Sequence, residues 1–135
     1  MKSKIIVSSS DEKYFDLLFE LFLSLKKLDI LNEYDFAVLN TGLTEKQKIV
    51  LQDNNVLISE TKWHFKVSKL KIRSRNHLKT QFARAFLPEY FANYKIYIWL
   101  DADIWINDLD TFLLYEKGAS KNKLAITPAE ITIAL

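Results

Sequence analysis

Residues 95–109 read KIYIWLDADIWINDL. Lys95 to Leu100 is apolar, β-branched and aromatic, the pattern of a buried strand. It runs straight into Asp101-Ala102-Asp103, and Ile104-Trp105-Ile106 comes next. Carboxylates set between such flanks are costly to desolvate unless a cation or hydrogen-bond donors compensate. Along a strand, residues i and i+2 point to the same side, so Asp101 and Asp103 are expected to face each other and repel. A divalent cation resolves both difficulties. Oxygen ligands suit Mg2+ or Mn2+, and two carboxylates, a diphosphate and water can complete six positions. The competing reading is a strand that ends in an Asp-rich turn, with Asp103 capping the next segment. The apolar flanks and the terminal position on a central strand favour the metal.

Upstream, Asn76 to Leu87 is expected to be helical, with Phe82, Phe86 and Tyr90 four residues apart and Pro88 kinking or ending it. Arg84 lies among Ala83, Ala85, Phe86 and Leu87. A guanidinium cannot deprotonate there and needs an anionic partner. A phosphate or one of the two aspartates would serve; the alternatives are a structural salt bridge or a snorkelling surface arginine.

The start of the chain predicts a strand over Lys4 to Ser8, then a polar turn of Ser8, Ser9 and Ser10. Ser10 is expected to cap a helix whose positive end suits Asp11 and Glu12. Small residues there admit a ligand close to the backbone, and helix-start amides favour an anion or a polar ring. Taken alone, the turn reads as a helix cap. Tyr14, Leu18, Leu21, Leu25 and Leu28 give that helix a wide apolar stripe. A second strand is expected over Asp35 to Leu39, a helix capped by Thr44 over Thr44 to Asn54, and a third strand over Val56 to Ile58. A helix capped by Asp108 over Leu109 to Glu116 and a last strand over Leu124 to Thr127 complete the pattern. This alternation predicts an α/β fold with a mostly parallel sheet flanked by helices. Ligands of such sheets bind at the carboxyl ends of the strands, which points at the serine turn.

The chain has 135 residues, enough for one domain over 1–135. Its 49% apolar and 27% charged content excludes disordered and fibrous classes. Without cysteine there is no disulfide framework, thiolate zinc site or iron–sulfur cluster. The two glycines cannot build a Gly-rich phosphate loop. No stretch has the pattern of a secretory signal or the length of a transmembrane helix. No serine sits in a nucleophile elbow, and His64 and His77 lack metal-ligand spacing. The net charge of +2 conceals segregation: Thr61 to Pro88 has no acid and carries Lys62, Lys66, Lys69, Lys71, Arg73, Arg75, Lys79 and Arg84, leaving 11 basic against 17 acidic residues elsewhere. With Trp63 and Phe65 to stack bases, that run could bind a polyanion; it also reads as a solvated face or a loop over an anionic ligand.

The order and spacing of these features resemble glycosyltransferase family 8, of GT-A (Rossmann-like) fold, in its N-terminal half. The resemblance rests on Ile5 to Val7, Ser9-Ser10-Asp11, Tyr14, Ala83-Arg84, Leu87-Pro88-Glu89-Tyr90 and IYIWLDADIWINDL, and Arg84 to Leu109 is its specific part. It implies a retaining transferase that moves a hexose from a UDP-sugar to a glycan or lipid-linked acceptor, as in surface-polysaccharide assembly. Asp101 and Asp103 would hold Mn2+ or Mg2+, with Asp101 also near the ribose and Ala102 between them in the donor site. Ser9, Ser10 and Asp11 would line the uridine site, and Arg84 would reach the nucleotide or the donor sugar. The family's third metal ligand, its acceptor residues and the group facing the anomeric carbon are expected beyond the C-terminus. The chain is therefore expected to be a truncated, donor-binding half with weak or no transferase activity alone. A sheet left partly exposed would favour association.

Lys13 departs from an uncharged polar residue common in the family, and Trp99 and Trp105 are bulky beside the motif. No nucleic-acid partner is expected under this reading. Cytoplasmic location is, with peripheral contact at the inner membrane face through the basic run. Two rivals stand beside it. A haloacid-dehalogenase-type phosphatase would use Asp101 as nucleophile, but Ile104 and Trp105 replace the small polar pair it wants and the motif lies late in the chain. A non-enzymatic polyanion-binding module would not need Asp101 at all.

Overall fold

Four strands form one sheet in the computed structural model, which describes residues 2–63, 77–119 and 123–126. They are β1 (Lys4–Asp11), β2 (Tyr34–Gly42), β3 (Leu57–Glu60) and β4 (Ile96–Trp99), in the order β3-β2-β1-β4. Every pairing is parallel. Among the described residues the α-helices are α1 (Phe15–Lys27), α2 (Glu45–Asp53), α3 (His77–Ala83), α4 (Leu87–Tyr90) and α5 (Leu109–Gly118), with 3-10 turns at Ile30–Asn32 and at Arg84–Phe86, the latter joining α3 to α4.

The apolar runs of β1 and β2 are buried on both faces, which is why they read as continuous rather than alternating. Ile6, Phe36 and Val38 pack with Leu18, Leu21, Phe22 and Leu25 of α1, Leu51 of α2 and Phe112 of α5. Ile5, Val7, Ala37 and Leu39 point the other way, onto Ala83, Leu87 and Phe91. Parallel crossovers are right-handed. Winding from β1 through β2 to β3 therefore keeps α1 and α2 on one face. The return to β4, on the far side of β1, puts α3 and α4 on the opposite face. Winding reverses between β1 and β4, and a crevice opens at their carboxyl ends.

The amino edge is closed by charge. Lys4 Nζ lies 2.8 Å from Glu116 Oε1 and 3.1 Å from Glu33 Oε2, and 5.0 Å from the centre of the Tyr34 ring. Tyr34 donates its hydroxyl to Glu116, so α5 is tied to both β1 and β2. Nearby, the Tyr94 hydroxyl donates to Asp35 Oδ2 at 2.7 Å.

Several local expectations change. Ser8, Ser9 and Ser10 are not a turn: β1 continues through them, paired with Val38, Leu39 and Asn40. Pairing overrides their weak strand propensity because β2 offers a ladder as far as Gly42. Ser10 is not the cap of α1 either; Tyr14 holds that position without a side-chain bond. Asp11 performs the task instead, its Oδ1 accepting from the amides of Lys13 at 3.0 Å and Tyr14 at 3.1 Å. Thr44 does cap α2, in a reciprocal pair of bonds with Gln47, and Asp108 caps α5 through the Thr111 amide at 2.7 Å. The helix expected as far as Leu87 stops at Ala83, and after the 3-10 turn Pro88 opens the next helix, so the helical path is broken ahead of the proline rather than ended by it. It sits in the first turn of α4, where its missing N–H costs nothing.

Residues 123–126 form no strand, and Leu124 and Ile126 are exposed; Thr127 lies outside the described residues. So do His64, Phe65 and the basic run from Lys66 to Arg75, while Lys79 and His77 are described in backbone only. No helix among the described residues is long and apolar enough to cross a membrane.

Candidate functional site

The β4 ladder ends at Trp99 opposite Val7, and the Leu100 amide still donates to the Val7 carbonyl at 3.0 Å. The chain then leaves the sheet in a turn closed by the Ile104 amide on the Asp101 carbonyl at 3.1 Å. Asp101 and Asp103 therefore occupy a turn, not one face of a strand. Their burial also differs from expectation. Ala102 is buried in the cluster that contains Ile6 and Phe112, whereas Asp103 is exposed and the Asp101 side chain is 49% exposed. The small apolar residue anchors the turn, and the carboxylates on either side of it meet solvent.

Asp101 Oδ1 accepts two hydrogen bonds, from Arg84 Nη2 at 2.6 Å and from Trp99 Nε1 at 2.8 Å. Arg84 in turn lies over the Trp99 ring, its Cζ 4.8 Å from the centroid. Of the anionic partners open to Arg84, the structure supplies Asp101.

The β1 side is fixed by a second set of bonds. The Glu12 amide donates to the Gly42 carbonyl at 3.0 Å. Gly42 has φ +144°, a conformation that side-chain-bearing residues avoid. Asn40 Oδ1 accepts from the amides of Gly42 at 2.9 Å and Leu43 at 2.7 Å, and its Nδ2 donates to Glu60 Oε1 at 2.7 Å. Between Ser10 and Asp11 the register slips by one, which leaves Thr41 without a ladder partner on β1. Bulges of this kind re-aim side chains beside functional sites.

These two ends face one cleft of about 420 Å³, lined by Ser9, Ser10, Asp11, Tyr14, Thr41, Thr80, Gln81, Arg84, Asp101, Ala102 and Asp103. All seven residues that the sequence singles out are in it. Sequence reasoning does not reach Thr41, Thr80 and Gln81, and it marks Tyr14 only for its helix and its place in the resemblance. Thr80 carries a usable signal, since it precedes Arg84 by four, the spacing that shares a helix face. Thr41 carries none, because the slip in pairing with β1 brings it there.

The donor set fits a hard cation. Asp101 and Asp103 offer carboxylate oxygens, and Asp101 Oδ2 takes no hydrogen bond among the described residues. No group of three or more His, Cys, Asp and Glu comes together among those residues. Two carboxylates completed by phosphate oxygens and water is the usual protein share of a Mg2+ site.

A family model described as glycosyl transferase family 8 matches residues 3–125. Among solved structures, the galactosyltransferase LgtC in complex with donor and acceptor sugar analogs is similar at a TM-score of 0.58 and 22% identity. An active-site mutant of LgtC gives the same values. The likeness is one of fold. It covers 81% of this chain and 41% of theirs, so the chain spans less than half the length of those proteins. Among curated proteins, none matches.

Proposed function

The chain belongs to glycosyl transferase family 8, and from that premise we propose that its cleft binds the nucleoside diphosphate of a sugar donor. The donor would be a UDP-hexose, used in retaining transfer to a glycan or lipid-linked acceptor. One observation carries the reading: the end of β1 and the turn after β4 line a single cleft at the point where the winding of the sheet reverses. That is where open parallel sheets bind nucleotides.

The residues divide the task by chemistry. Ser9 and Ser10 are small; the Ser10 hydroxyl donates to the Asp11 carbonyl at 2.9 Å and keeps its acceptor capacity, and a serine hydroxyl such as that of Ser9 can both donate and accept, which suits a polar base and its ribose. Asp11 is held in place by the Lys13 and Tyr14 amides and adds a fixed acceptor on the same wall. Arg84 brings a rigid fork of donors that matches phosphate or sugar hydroxyls. Asp101 and Asp103 would hold Mn2+ or Mg2+, which when bound offsets the charge that grows on the departing diphosphate. Acceptor recognition and the group facing the anomeric carbon are assigned to no residue of this chain. The phosphatase reading falls with membership of this family.

Calorimetric titration of UDP, with and without Mn2+, into wild type and Asp103→Ala tests the proposal. Binding that requires Mn2+ and is lost in the variant is the expected result. Binding indifferent to both, but falling steeply with salt, would favour the polyanion module.

A further inference from the structure

We infer that Trp99 is a positioning residue of this site: its indole N–H reserves Oδ1 of Asp101 for the protein, so that Asp101 meets a cation through Oδ2 alone. The inference rests on the donor-binding reading and extends it to the choice of metal.

Three contacts converge on this point. Trp99 Nε1 and Arg84 Nη2 both donate to Oδ1, and Arg84 lies over the same indole. The indole is itself held, packed against the cluster that contains Val7, Ala83 and Leu87. Two donors on one oxygen, one of them a charged fork, fix the direction of the carboxylate. Tryptophan is the aromatic residue whose ring edge carries an N–H donor while its face supports a guanidinium. Phenylalanine would keep the face and lose the donor.

The consequence concerns coordination. Ca2+ takes six to eight oxygens in flexible geometry and is often chelated by both oxygens of one carboxylate. Mg2+ and Mn2+ are satisfied by single oxygens in a compact six-coordinate shell. An Asp101 restricted to one free oxygen therefore favours the smaller cations. Removing the N–H frees Oδ1 in part, lowers the order of the carboxylate and narrows the preference.

The test measures Mn2+ and Ca2+ affinity in the presence of UDP for wild type, Trp99→Phe and Asp103→Ala, with a thermal melt of each. Trp99→Phe is expected to lose about tenfold or more in Mn2+ affinity, the usual effect of removing a group that orients a metal ligand. Ca2+ affinity should fall less, and the melting temperature should stay near that of wild type. A Trp99→Phe protein with wild-type Mn2+ affinity and an unchanged ratio of the two metals overturns the inference, while loss of binding in Asp103→Ala still upholds the donor site. No metal-dependent binding in wild type overturns both.

If Trp99→Phe does not fold, isotope-labelled wild-type protein supplies the answer. Among its three indole N–H resonances, the one that moves in Asp101→Asn should also move when Mg2+ and UDP are added. An Asp101→Asn spectrum that leaves all three in place overturns the role of Trp99.

Discussion

Arg84 and Asp101 meet at 2.6 Å between Nη2 and Oδ1, one from the turn that follows α3 and the other from the turn that follows β4. The pair lines the cleft at the carboxyl ends of β1 and β4, where winding reverses. Its side chains are 44% and 49% exposed, so water screens it and its share of stability is below about 1 kcal/mol. Arg84→Ala is therefore expected to leave the melting temperature almost unchanged while lowering nucleotide affinity at least tenfold. Arg84→Lys keeps the charge but not the fork, and should fall between the two. A thermal melt beside a UDP titration checks this, and a large stability loss with intact binding would reverse the assignment.

Gly42 is the residue whose replacement should reach the site through the backbone. A methyl group there would lie 3.5 Å from the Asp11 Cβ, an ordinary contact, so crowding is not the problem. The cost comes from φ +144°, which for alanine is of order 1–3 kcal/mol. Because the Gly42 carbonyl holds the Glu12 amide, Gly42→Ala should lower both the urea midpoint and nucleotide affinity. Unchanged stability would show that the turn tolerates a second conformation.

Alkaline pH should destabilise the fold through two groups at the amino edge. Burial, and then the hydrogen bond to Asp35, push the Tyr94 phenol from 10.0 to about 12. Between those values the unfolded phenol has lost its proton and the folded one retains it, so stability falls as pH rises. Lys4 acts in the same direction. Its hydrogen bond to Glu116 leads in raising its value above 10.5, with Glu33 adding and desolvation opposing. Its contribution is complete below 10.5 and is lost as pH passes the folded value. Urea midpoints from about pH 8 to about pH 12 should be level to about pH 10 and then decline. In Tyr94→Phe the decline should be shallower; an equal slope would remove Tyr94 from the account.

Ser8 is fully buried in the middle of β1, and its Oγ has no hydrogen-bond partner among the described residues. Leaving a hydroxyl unsatisfied costs about 1–3 kcal/mol. Ser8→Ala is expected to raise unfolding free energy by about 1 kcal/mol, part of the gain being offset by lost contacts. A drop of that size in a urea melt would mean that the hydroxyl has a partner after all.

Much of this architecture was legible in residue order. KIYIWL is so apolar and β-rich that it reads as a buried strand, and β4 forms there, although half-buried and at an edge of the described sheet rather than at its centre. Thr44 with Gln47, and Asp108, are caps because the backbone amides that they satisfy lie close in sequence. What escaped was set by long-range pairing. Ser8 to Ser10 have the composition of a turn, and nothing local says that β2 will hold them extended. The turn at Asp101 to Ile104 begins where the ladder to Val7 stops, a boundary that β1 determines. Burial of Ala102 rather than of its neighbours results from that turn. Leu124 to Ile126 shows the reverse, a strand-like composition without a strand.

The pairing of β1 with β4 also sets a schedule. Lys4 pairs with Tyr34 on β2, near it in sequence, and with Ile96 on β4, far along the chain. Contacts of such separation form slowly, since a long stretch of chain must be closed before they are rewarded. During synthesis from the N-terminus, β1, β2 and β3 can assemble with α1 and α2 while one edge of β1 waits. The wall of the cleft at Ser9 to Asp11 is thus synthesised well before the aspartates that face it.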